Sequence, residues 1–220
     1  MPKMKFFYSL LIIALLGLPL STKELSTAET LPLGDVNSGS NLVAQCAACH
    51  GASGASINSD WPNLAGQGQQ YLFSQLKYFQ GGERENILMM AVVPYLKNLS
   101  DQQLLDIAAF YNSQPASVGQ AKDDQSLLTR GEWLYRSGDL NKGIPACTAC
   151  HGLSGMGLEQ AGFPAISGQQ VSYLQTTLKN YRSKSRNTGE YASVMQTVAA
   201  NLTDADIEAV SNYMHGLYSQ

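Results

Sequence analysis

The chain has 220 residues, a formal charge of −3, 44% hydrophobic residues and only 14% charged ones. That length fits one or two domains that can bury a core without disulfides, and the missing basic excess excludes a nucleic-acid binder. Without a Gly or Pro period or charge runs, collagen-like, coiled-coil and charge-rich disordered chains are excluded as well.

The chain begins with Lys3 and Lys5 ahead of an apolar run, residues 6–20. This is the pattern of a secretory signal, and the run is short for a span of about 20 residues. Small residues at Ser26, Thr27 and Ala28 predict cleavage before Glu29, so residues 1–28 are read as a signal peptide and the mature protein as periplasmic. The mature chain then carries 11 basic and 16 acidic residues.

The rest of the chain repeats itself. Cys46-Ala-Ala-Cys-His-Gly51 maps onto Cys147-Thr-Ala-Cys-His-Gly152 at an offset of 101. Trp61-Pro-Asn-Leu-Ala-Gly-Gln67 maps onto Phe163-Pro-Ala-Ile-Ser-Gly-Gln169 at an offset of 102. Tyr71, Leu72, Gln75, Leu76 and Phe79 form a helical stripe, repeated by Tyr173, Leu174, Leu178 and Tyr181. Ser100 with Asp101 starts a further helix through Leu104, Leu105, Ala108, Ala109 and Tyr111, repeated behind Thr203 by Ile207, Val210 and Met214. A period near 100 residues is too long for a solenoid unit and fits duplication of a small domain. The polar stretch 114–124 marks the joint, giving domains 29–117 and 118–220. Neither half has a period-2 strand, so the expected fold is all-α, two tandem helical bundles.

The chemistry lies in the pentapeptides. Two cysteines separated by two residues and followed at once by histidine form the attachment sequence of c-type haem. The thiols reach two vinyl groups on one edge of the macrocycle, and the adjacent imidazole meets the iron. All four cysteines and two of the three histidines of the chain fall in these two motifs. A thioredoxin-like pair would lack its βαβ context, and zinc would lack a second ligand pair in either repeat. Cys46, Cys49, Cys147 and Cys150 are therefore the expected covalent anchors of two haem c groups, with His50 and His151 as iron ligands.

The opposite iron ligand has to be methionine, because His215 is the one histidine left. Met/His ligation is an electron-transfer pattern with a raised potential. In the second half Met195, expected in a loop before the last helix, is chosen over Met156, too close to His151, and Met214, on an apolar helix face. In the first half Met89 and Met90 both qualify, and spacing does not choose between them. Trp61 and Trp133 are expected to pack in the core, and His215 to face solvent.

These motifs, the two Pro-x-(Leu/Ile)-x-Gly-Gln segments, a methionine ahead of each last helix and the Leu-(Ser/Thr)-Asp helix starts resemble the di-haem cytochrome c4 family over residues 35–220. The resemblance implies two class I cytochrome c domains related by a pseudo-twofold axis, with haem propionates near the contact. It implies that the carbonyls of Pro62 and Pro164 accept the Nδ1 hydrogens of His50 and His151. Arg182, Lys184 and Arg186 are expected to neutralise propionates. The implied role is an electron carrier, not an enzyme, working in the periplasm or at its membrane face. It would pass electrons from a respiratory donor to a terminal oxidase, with a copper protein or another cytochrome as further partner classes. The alternatives are a di-haem peroxidase, which needs a His/His haem, and a gas sensor, which needs an open iron site. Residues 29–117 carry three basic and seven acidic groups and residues 118–220 eight and nine, an asymmetry expected to orient the molecule between donor and acceptor.

Overall fold

In the computed structural model, residues 33–217 are described; the expected signal peptide lies outside them. The first repeat opens with α1 (Val36–Ser40), started by Asp35, whose Oδ1 accepts the Ser38 N–H at 2.6 Å. It continues with α2 (Ala44–His50), α3 (Gln69–Gly81), α4 (Val93–Leu96) and α5 (Asp101–Asn112). Residues 115–124 run without regular structure into the second repeat. That repeat holds α6 (Gln125–Ser137), α7 (Thr148–His151), α8 (Val171–Arg182), α9 (Ala192–Ala199) and α10 (Asp204–Gly216). The described residues contain no strand, only the isolated antiparallel bridges Asp139–Ile144 and Leu158–Phe163.

The helix starts follow from local chemistry. Ser100 and Thr203 each form a full capping box, with Gln103 and Asp206 returning the bond to the cap N–H. Two of the four orphan N–H groups of each helix end are satisfied in this way. Asp124 caps α6 through the N–H groups of Ser126 and Leu127.

Packing within each repeat depends on a glycine in its first helix. A Cβ on Gly39 would lie 2.0 Å from the Asp106 carbonyl oxygen of α5, and one on Gly131 would lie 2.3 Å from that of Ala209 in α10. The two helix pairs can therefore approach closely only with no side chain at these positions. The repeats differ between glycine and cysteine motif: Gly39 stands 7 residues before Cys46 and Gly131 stands 16 before Cys147. The longer segment holds the Asp139–Ile144 turn, and Ile144 returns to the core of the second repeat.

Leu72, Ile107 and Tyr111 centre one cluster of the first repeat, and Phe79, Leu96 and Leu104 another. In the second repeat Leu134, Tyr135, Leu178, Ile207 and Met214 share a single cluster. Fully buried Leu and Ile side chains of this kind contribute roughly 1.5–3 kcal/mol each.

Three expectations need correction. Met195 sits inside α9, not in a loop; the segment Ala-Ser-Val-Met-Gln-Thr-Val-Ala offers no clear start signal, and its helix is held by tertiary packing. Trp133 is 56% exposed on the outer side of α6, because the inner side of that helix is filled by Leu134, Tyr135 and Gly131. His215 does not simply face solvent, since its Nδ1 donates to the Gln169 carbonyl at 2.8 Å.

Candidate functional site

Each Cys-x-x-Cys-His sequence forms a short helix that stops at the next glycine. Gly51 has φ 79° and Gly152 φ 77°, backbone values that glycine adopts without strain. The chain then turns back and places a prolyl carbonyl against each imidazole, Pro62 O at 2.8 Å from His50 Nδ1 and Pro164 O at 2.9 Å from His151 Nδ1. A carbonyl can only accept, so both Nδ1 atoms carry the proton and both Nε2 atoms keep their lone pair. Burial pushes both histidines below their ordinary pKa, against the opposing pull of those carbonyls. Neutral, oriented imidazoles are what a metal requires.

None of the four cysteines is paired in a disulfide. Burial pushes Cys46 up and Cys147 up to about 11. Both sulfurs line an apolar cavity.

Both motifs open into one cavity of about 480 Å³ that runs from the first repeat into the second. Leu72, Leu76, Phe79, Leu174, Leu178 and Val210 are among its apolar walls. Met89 and Met195 line it, whereas Met90 does not and is 62% exposed. Met214 also touches the cavity from α10. Met156 lies outside, its sulfur accepting from Ser167 Oγ at 3.4 Å. Leu88 and Val194 line the cavity while remaining 52% and 47% exposed, so it reaches the surface in each repeat.

Where the repeats meet, the cavity wall becomes polar. Arg186 Nη2 donates to Tyr71 Oη at 3.0 Å and Gln75 Oε1 at 3.2 Å, and its guanidinium lies 4.8 Å from the centre of the Tyr181 ring. Arg84 Nη1 donates to the same Gln75 oxygen at 2.6 Å. Arg186 Nε is buried without a protein partner. Two guanidiniums converging on one amide oxygen, with a donor left over, fit anionic groups in the cavity. Of the three basic residues expected there, Arg186 alone lines it: Arg182 bonds the Leu202 carbonyl and Asp204 instead, and Lys184 is exposed.

Trp61 also lines the cavity. Arg84 and the two glutamines of the repeated Pro-x-(Leu/Ile)-x-Gly-Gln segments received no role from the sequence. For the glutamines a signal was present in their identical repeat position. Gln67 Nε2 donates to the Ala165 carbonyl at 2.8 Å and its Oε1 accepts the Ala165 N–H at 2.8 Å. Gln169 does the same to Asn63, at 2.9 and 2.7 Å.

The cavity suits two flat apolar groups that carry carboxylates and take imidazole and thioether as metal ligands. The cytochrome c family model matches residues 36–114 and 130–217. Cytochrome c4 of Pseudomonas aeruginosa is 43% identical over 185 residues, 84% of this chain and 90% of that protein. A thiosulfate dehydrogenase electron acceptor of Thiomonas intermedia is 37% identical over 174 residues, 78% of each chain. The crystal structure of reduced recombinant cytochrome c4 from Pseudomonas stutzeri superposes with a TM-score of 0.78 at 42% identity, covering 84% of this chain and 100% of that one.

Proposed function

The chain belongs to the di-haem cytochrome c4 family, and from that premise we propose that it carries single electrons in the periplasm between a respiratory donor and a terminal oxidase. It is an electron-transfer cytochrome with two covalently bound haem c groups, at Cys46/Cys49 and Cys147/Cys150. In the proposed mature protein residues 1–28 are removed, and residues 29–117 and 118–220 hold one group each.

When bound, haem c supplies a one-electron Fe(III)/Fe(II) couple. The cysteine pairs would hold each macrocycle by thioether bonds, and His50 and His151, with Nδ1 tied to a carbonyl, would offer Nε2 to its iron. Met89 and Met195 would supply one further iron ligand each, and Met90 lies outside the cavity. Arg84 and Arg186 would receive propionate carboxylates at the contact between the repeats. Leu88 and Val194 give each half a small apolar window where a partner can come close to the macrocycle edge.

The observation that carries this reading is the common cavity: both histidines, Met89 and Met195 line it together. A histidine and a methionine held ready for each iron would leave no iron site for a substrate or a gas, which would set the carrier apart from a peroxidase or a sensor. The relative from Thiomonas intermedia supports a sulfur-compound dehydrogenase as one class of donor; a copper protein, another cytochrome or a membrane complex are further classes.

The test is addition of carbon monoxide to the reduced holoprotein. A carrier with two Met-ligated irons gives an unchanged spectrum, while conversion of either haem to a CO-bound form refutes it.

A further inference from the structure

We infer that each repeat tunes the iron of the other, through a glutamine that ends the hydrogen-bond chain of the opposite repeat's histidine. The inference rests on the iron ligation by His50 and His151 proposed above.

His50 Nδ1–H donates to the Pro62 carbonyl at 2.8 Å. That carbonyl belongs to the same planar peptide group as the Asn63 N–H. The Asn63 N–H donates onward to Gln169 Oε1, in the other repeat, at 2.7 Å. The mirror chain runs from His151 Nδ1–H to the Pro164 carbonyl at 2.9 Å and from the Ala165 N–H to Gln67 Oε1 at 2.8 Å. Gln67 and Gln169 stand 102 residues apart at equivalent repeat positions, so the crossing is reciprocal.

The orientation of both carboxamides is fixed by their partners. Each Nε2 faces a carbonyl and each Oε1 faces an N–H, and a flipped amide would set donor against donor. Each Oε1 also accepts the N–H of the residue that follows it, Gly68 or Gln170, at 2.9 Å. Both side chains are 6% exposed, so water does not compete for these bonds.

An acceptor at a peptide N–H shifts electron density to that peptide's oxygen and strengthens it as an acceptor. A stronger acceptor at Nδ1 makes the imidazole a better donor at Nε2 and favours the ferric ion. Gln169 therefore acts as a positioning residue that lowers the potential of the His50-ligated iron, and Gln67 lowers that of the His151-ligated iron.

Asn63 provides a well-behaved test, because its own Nδ2 donates to the Gly168 carbonyl at 2.9 Å and keeps the repeats joined without Gln169. The holoprotein and its Gln169→Leu variant are titrated by NMR, reading the resonances of each haem separately. We expect the ferric-to-ferrous ratio at fixed potential to fall about two- to tenfold at the His50-ligated haem, with a smaller change at the other. Gln67→Leu shifts the His151-ligated haem. Gln169→Glu, which keeps an oxygen toward the Asn63 N–H, does not raise the potential. Equal shifts at both haems, a larger shift at the haem of the mutated repeat, or a rise with Gln169→Glu overturns the inference. The ligation beneath it is read independently in the ferrous wild type, where the ring protons of His50 and His151 shift far upfield if they ligate; their absence there overturns ligation and inference together.

Discussion

Met89 and Met90, neighbours in sequence, face opposite environments: Met89 packs against the Phe79, Leu96 and Leu104 cluster and lines the cavity, while Met90 points outward with 62% of its surface exposed. Met89→Ala should open one iron of the two, so that about half of the reduced haem binds carbon monoxide and the potential of that haem falls. Met90→Ala should leave both the CO response and the titration as in the wild type. Optical titration of the two variants side by side makes the comparison.

Asp206 is a second point of leverage. Burial opposes its charge, but the Thr203 N–H and hydroxyl and the Arg130 guanidinium at 2.7 Å hold its carboxyl down at about 2. A folded-state pKa below the ordinary 3.8 stabilises the fold above that value, and the contribution is lost as the pH falls through about 2. Asp206→Asn should cost about 2 kcal/mol at neutral pH. Chemical denaturation of both proteins at neutral pH and again near the folded pKa should show the gap closing in acid.

Gly39→Ala and Gly131→Ala each place a methyl within 2.3 Å or less of a backbone oxygen in the facing helix. A backbone oxygen cannot rotate aside, so each variant should lose about 1–3 kcal/mol. The losses should add, since the two contacts lie in different repeats. Denaturation midpoints of the single and double variants test both points.

Arg186→Leu removes a buried positive charge from the contact between the repeats. A nearby cation disfavours the more positive ferric state, so its loss should lower the potentials of both haems, in contrast to the one-sided rise expected of the glutamine variants. It also removes the bonds to Tyr71 and Gln75 across the contact. Arg186→Lys, which keeps the charge but not the fork of donors, separates the effects: redox titration should show the fall with Leu and little of it with Lys.

Much of this site could be read from one sequence because haem attachment is a local pattern. Cysteines, histidine and the glycine that ends their helix are contiguous, and the two prolyl carbonyls follow the histidines by 12 and 13 residues. The capping residues Ser100 and Thr203 were legible for the same reason. What escaped was set by contacts distant in sequence. The choice of Met89 over Met90 depends on which side of a short, irregular turn meets α3 and α5. Arg84 is held on α3 by Gln75 and the Phe79 ring, and it joins the site because the segment after α8 of the other repeat brings Arg186 to the same amide oxygen. The helix around Met195 is not legible, because packing, not propensity, sustains eight residues of mixed β-branched sequence. Trp133 was misplaced by its size, since area available to bury does not say which side of a helix meets the core.

The most direct test of the central claim is the weak far-red charge-transfer band of Met–Fe(III) in the fully oxidised holoprotein, measured per haem against the total haem content. Ligation by Met89 and Met195 predicts the full intensity of two such centres on a low-spin spectrum. A band of half intensity, no band, or a high-spin spectrum would contradict it.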